Sequence, residues 1–104
     1  MAKYLLLYEG GSMPETDAER DQVMKAWEAW FGTLGNAVAD PGNPFSPNSK
    51  RIKADGSIST GAGSASGYSV VEADSLDAAT DLAKGCPVLR GGASVGVYET
   101  FEVM

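Results

Sequence analysis

Two rhythms of hydrophobic and polar positions alternate along this chain. Residues 3–8, KYLLLY, place Leu5 and Leu7 on one side of an extended segment and Tyr4, Leu6 and Tyr8 on the other, and Gly10-Gly11 closes the run. An extended segment that is apolar on both sides predicts a strand in the middle of a sheet covered on both faces. Thr16 then stands as an N-cap with Glu19 three residues on, the pattern of a capping box. Val23, Trp27, Trp30 and Leu34 follow at spacings of four, three and four, and Phe31 widens the stripe. That period predicts a long amphipathic helix ending at Gly35-Asn36. Residues 36–40 allow a short strand. Residues 41–49 hold three prolines, one glycine and two asparagines, and are expected to form a loop.

Residues 50–53 and 57–60 flank Asp55-Gly56 and predict a hairpin. Residues 61–67, GAGSASG, are expected to be a flexible loop. They share only composition with a phosphate loop, because they precede a strand and lack the Gly-Lys-Ser/Thr ending. Residues 68–73 form a second strand pattern with Tyr68, Val70 and Glu72 on one side. Ser75 caps a second helix with Asp77 in its first turn; Leu76, Ala79 and Ala83 form its stripe, Leu82 lies beside it, and Gly85 ends it. In residues 94–101, Val95, Val97 and Phe101 point one way and Tyr98 and Thr100 the other. The order is strand, helix, strand, hairpin, strand, helix, strand, with a visible half-repeat. It predicts one α+β domain over residues 1–104: a ferredoxin-like antiparallel sheet with two helices on one face. Tyr4, Leu6, Tyr8, Tyr68, Val70 and Tyr98 are then expected on the other face. An apolar patch of that size predicts a homodimer.

Composition narrows the classes of function. With 43% hydrophobic and 21% charged residues the chain reads as globular rather than disordered. A net charge of −6 opposes phosphate backbones and anionic lipid, so neither nucleic acid nor a membrane surface is expected as partner. The single cysteine forms no internal disulfide. The apolar run of residues 4–8 is too short for a signal-peptide core and no run approaches a membrane span, so a cytoplasmic protein is expected. Histidine is absent, which removes the commonest general base and metal ligand, and neither cofactor nor metal is expected.

Three stretches, MAKYLLLYEG, GYSVVEADSLDAATDLAKGCP and SVGVYETFEV, resemble the YCII-related family, whose motif branch is called DGPF. The likeness covers nearly the whole chain. It implies a dimeric α+β barrel, in which two ferredoxin-like sheets pack face to face; most members have no assigned reaction, and some relatives with that barrel look like lactone isomerases or dehalogenases. One branch carries a histidine early in its first helix and an aspartate before the proline after its second, proposed as an acid–base dyad. Here there is no histidine, Cys86 stands at the aspartate's place, and the motif position at residues 60–63 reads TGAG. The resemblance implies the fold and the dimer, and no catalytic pair.

Among single residues, Cys86 follows a helix C-terminus, whose negative dipole end raises a thiol pKa, and it precedes Pro87. With Gly85 as the left-handed residue after the helix, it reads as a packed helix stop rather than a nucleophile. Trp27 and Trp30 read as core. Asp40, opening DPGNPF, and Glu72, on the face of Tyr68, are the candidate catalytic carboxylates; Tyr8, Tyr68, Tyr98 and Arg90 are the candidate substrate-binding residues. The pocket is expected between residues 40–45 and the open sheet face near Tyr68 and Glu72. Aromatic walls with carboxylates suit a small neutral or cationic ligand. Two functions follow. One is a non-catalytic binding or accessory module. The alternative is a cofactor-free lyase- or isomerase-type enzyme acting on a small polar organic molecule by carboxylate acid–base chemistry.

Overall fold

Helix α1 begins at Thr16 because its hydroxyl accepts the Glu19 N–H at 3.1 Å, while the Glu19 carboxylate reaches back to the Glu15 N–H at 3.0 Å. Helix α2 begins the same way, with the Ser75 hydroxyl accepting the Ala78 N–H at 3.0 Å. The structure, a computed structural model, describes residues 2–11, 14–61 and 63–103. Its elements are β1 (Ala2–Glu9), α1 (Asp17–Leu34), a 3-10 turn (Gly35–Ala37), β2 (Val38–Asp40), β3 (Lys50–Ile52), β4 (Ile58–Thr60), β5 (Ala65–Ala73), α2 (Leu76–Ala83), a second 3-10 turn (Pro87–Gly91) and β6 (Ser94–Glu99).

Four strands form one antiparallel sheet in the order β2-β5-β1-β6, and β3 and β4 pair only with each other. Each strand–helix–strand unit is split by a strand of the other, with β5 between β1 and β2 and β1 between β5 and β6. This is the α+β arrangement that the order of elements predicts, broadly ferredoxin-like. β5 starts three residues earlier than expected, at Ala65 rather than Tyr68. Its small residues continue the ladder to Glu9 across a bulge. They suit that position because the edge lies against the 43–44 backbone, where Asn43 O accepts the Tyr68 N–H and the Phe45 N–H donates to Ser66 O.

The register decides which side of each strand meets the helices. Tyr4, Leu6 and Tyr8 lie opposite Val71, Ser69 and Gly67, and all are buried with Trp30, Leu34, Ala79, Ala83 and Cys86. Fully burying Leu6 or Val71 contributes about 1.5–3 kcal/mol each. This corrects one expectation: Tyr4, Leu6 and Tyr8 face the helices, and the open face carries Leu5 and Leu7 beside Tyr68, Val70 and Tyr98. Both sides of β1 are apolar, so its alternation alone assigns neither; the two tryptophans of α1 need the larger partners. The α1 stripe is narrower than its spacing suggests, with Val23 exposed and Trp30 and Leu34 buried.

α2 also ends differently from the expectation. Lys84 is its helical cap, and Gly85 is not left-handed. A Cβ on Gly85 would lie 3.2 Å from the Trp30 indole, tight enough that the ring would have to give by a few tenths of an ångström, so glycine eases the close approach of that ring.

Candidate functional site

The open face is built from alternate residues of three strands. Leu5 stands opposite Val70 and Tyr98, Leu7 opposite Tyr68 and Gly96, and Lys3 opposite Glu72. The Tyr98 ring folds back over Gly96, where a Cβ would sit 2.8 Å from the ring edge, so glycine makes room for a flat aromatic lid on this strand. At the other edge the Phe45 ring stacks on Tyr68 at 6.1 Å and 26°. Phe45 and Tyr98 remain 46% and 50% exposed. Aromatic rings thus flank a strip of leucine and valine on a face with no layer over it.

Asp40 reaches this face through a constrained turn. Its Oδ1 accepts the Gly42 N–H at 2.9 Å, and its Oδ2 lies 3.4 Å from the Tyr68 hydroxyl that donates to it. Gly42 has a φ of +70° and crosses directly over the Tyr68 carbonyl. The turn is pinned beneath by a buried relay, in which the Tyr8 hydroxyl donates to Ser69 Oγ at 2.7 Å and Ser69 Oγ donates to the Pro41 carbonyl at 2.7 Å. Asp40 therefore shapes the loop first and touches the face second. Glu72 lies on the same face, half-buried, across from Lys3.

The other named residues lie elsewhere. Tyr8 is on the helix side, 5% exposed, edge-on to Trp27 at 5.4 Å. Burial pushes its phenol far up, against the lowering effect of the Ser69 hydrogen bond. Arg90 is exposed in the second 3-10 turn, which packs on α1 and β6. Cys86 is 2% exposed at the start of that turn. Its thiol pKa is raised, and the cause is burial rather than a helix end. The TGAG stretch includes Ala62, which lies outside the described residues. Among the described residues no group of three or more His, Cys, Asp or Glu side chains could hold a metal ion, and no helix is long and apolar enough to cross a membrane.

A groove of about 470 Å³ does not coincide with this face. It runs between residues 44–49 and the 63–65 segment, with Phe45 as the wall it shares with the face, and neither Asp40 nor Glu72 lines it. With no ionisable side chain in its walls it offers shape without chemistry, so the open face is the better candidate site. Gly96 and Ser69 escape the reading of the sequence, and Phe45 enters it only as the end of the 40–45 loop. Only Phe45 carries a signal there, as an aromatic residue closing a rigid Pro/Gly turn.

The buried pair Tyr8 and Cys86 has a pH consequence. In the unfolded chain these groups ionise near their ordinary values of 10.0 and 9.0; in the folded chain both hold their protons longer. Their contribution is present in full below the thiol value and is lost as pH rises above it. Urea midpoints are expected to fall as pH rises above that ordinary thiol value, and the fall should be shallower in Cys86→Ala. At neutral pH that variant should cost about 0.5–2 kcal/mol through lost packing. Rapid labelling of the native thiol would contradict this placement.

No protein-family model matches this chain, and no curated protein matches it.

Proposed function

We propose that this chain is a YCII-like homodimeric α+β-barrel module that holds a small neutral or cationic organic molecule between two open sheet faces without transforming it. The observation that carries this reading is the uncovered strip of Leu5, Leu7, Tyr68, Val70 and Tyr98, flanked by Phe45. Soluble monomers rarely leave such a strip to water. The molecule is a plate, 43 × 41 × 18 Å, and pairing two plates by a two-fold axis is the simplest way to cover a broad face.

A binding role fits the groups present. The Asp40 carboxylate is engaged by the Gly42 N–H, the thiol is buried, and histidine is absent. Glu72 and the aromatic rings suit recognition of a cationic or neutral ligand. An enzyme reading rests on one contact, the Tyr68 hydroxyl beside Asp40, as a donor–carboxylate pair. A thermal-shift screen of cationic, neutral and anionic organic compounds tests both readings. Stabilising ligands are expected among the first two groups, with weaker shifts in Glu72→Gln. Binding confined to anions would overturn the proposal. Conversion of a bound ligand, followed by NMR and lost in Asp40→Asn, would replace it with the enzyme reading.

A further inference from the structure

The hairpin of β3 and β4 lies outside the core that the rest of the molecule shares. Ile52 and Ile58 stand directly opposite each other on it and are 73% and 64% exposed. An isolated two-stranded hairpin is marginal in water, and an exposed cross-strand isoleucine pair is an unusual surface for one to keep. The same short segment carries Lys50, Arg51 and Lys53, three of the eight cations of an acidic chain. Among the described residues the ion pairs are the local Arg20–Asp17 and Lys84–Asp81 contacts, and none of these three cations forms an ion pair with another described residue.

The open face has the opposite problem. Around its apolar strip stand Glu9, Asp40 and Glu72 against a single lysine, Lys3. Two such faces brought together by a two-fold axis set like charges against like, which opposes pairing unless something cationic neutralises them. The hairpin is tethered by residues 41–49 to β2, the edge strand of that sheet. Four strands about 4.8 Å apart span less than 20 Å. The 41 Å width of the plate therefore includes chain beyond the sheet.

We infer that the hairpin is an arm that reaches a second copy of this chain, laying the side that carries its isoleucine pair and Lys50 along the acidic rim of the partner's open face, with Arg51 and Lys53 on its other side adding to the positive field. This rests on the face-to-face dimer proposed above and names what makes that dimer electrostatically tolerable. The arm's apolar pair supplies contact area, and its cations supply complementarity that two identical faces lack.

Sedimentation equilibrium on the full chain tests the arm separately from the dimer. Three variants are compared with wild type: Lys50→Gln/Arg51→Gln/Lys53→Gln in the hairpin, Ile52→Ser/Ile58→Ser on its apolar pair, and Arg20→Gln/Lys25→Gln/Lys84→Gln on the helices as a control of equal net charge. Both hairpin variants are expected to raise the dimer dissociation constant at least tenfold, with the helix control within about twofold, because its ion pairs are exposed and weak. The wild-type dimer should loosen as salt rises from about 0.05 to 0.5 M, and the hairpin charge variant should respond less. Unchanged far-UV circular dichroism and unchanged hydrogen-exchange protection of β1 and β5 will show that the variants fold. A hairpin charge variant that dimerises like wild type, or a helix control that weakens as much, would overturn the arm. A wild-type monomer at micromolar concentration would instead overturn the face-to-face dimer beneath it.

Discussion

Trp30→Ala is expected to lower stability by about 3–5 kcal/mol, the range for emptying a buried aromatic site. A domain of this size has only about 5–15 kcal/mol in hand, so the melting temperature should fall by more than about 10 °C. Trp30 is 6% exposed and sits in a cluster with Trp27 at 5.6 Å and Phe31 at 5.1 Å. Its indole N–H also donates to the Leu82 carbonyl at 3.1 Å, at the end of α2, so one side chain ties the two helices together. Trp30→Phe separates the two roles. It keeps most of the packing and loses the donor, while Leu82 O still accepts the Gly85 N–H at 3.3 Å, so it should cost about 1 kcal/mol. Thermal melts of both variants give the check; a Trp30→Ala protein melting within a few degrees of wild type would refute this account of the core.

Gly42→Ala is the second large effect. A Cβ there would lie 1.8 Å from the Tyr68 carbonyl oxygen and 2.7 Å from its carbon. Backbone lies on both sides of that clash, so the loop must lift. Lifting it strains the Gly42 N–H bond to Asp40, the Tyr68 N–H bond to Asn43 O and the Ser69 hydroxyl bond to Pro41 O. With the left-handed strain added, the cost should reach about 2–4 kcal/mol. Gly35→Ala is the control. Gly35 also has a positive φ, of +56°, and its Cβ would meet nothing within 4 Å, so only backbone strain remains, about 1–2 kcal/mol. Equal melting temperatures for the two variants would show that backbone strain alone, and not the crossing over Tyr68, governs the site. The Gly42 variant should also lose ligand shifts that the Gly35 variant keeps, because Phe45 reaches Tyr68 only through that turn.

Local chemistry was readable without the fold. Thr16 with Glu19 and Ser75 with Asp77 mark helix starts because a hydroxyl or carboxylate must satisfy the first free N–H groups, whatever lies around them. Asp55-Gly56 marks the hairpin because few other residues adopt its turn; Gly56 has a φ of +88°. The alternation of β5 placed Tyr68, Val70 and Glu72 on one face correctly, and the residues between and beside them, Gly67, Ser69, Val71 and Ala73, are buried on the other.

What the sequence could not decide was which of two apolar sides faces which neighbour. β1 offers leucine on one side and tyrosine with leucine on the other, and local periodicity weighs them almost equally. Only the packed helices choose, because Trp27, Trp30 and Phe31 need Tyr8 and its hydroxyl needs Ser69. Gly85 reads as a helix cap for the same reason. Its local signal is that of a left-handed stop, whereas in the fold it lies against an indole ring contributed from 55 positions earlier in the chain. Asp40 was legible as turn chemistry, but its approach to Tyr68 depends on a backbone crossing between segments 26 residues apart, Gly42 over Tyr68. Capping and turn preferences act over three or four residues and belong to the sequence itself; the choice of face, and the company each side chain keeps, belongs to whichever distant residues fill the remaining volume.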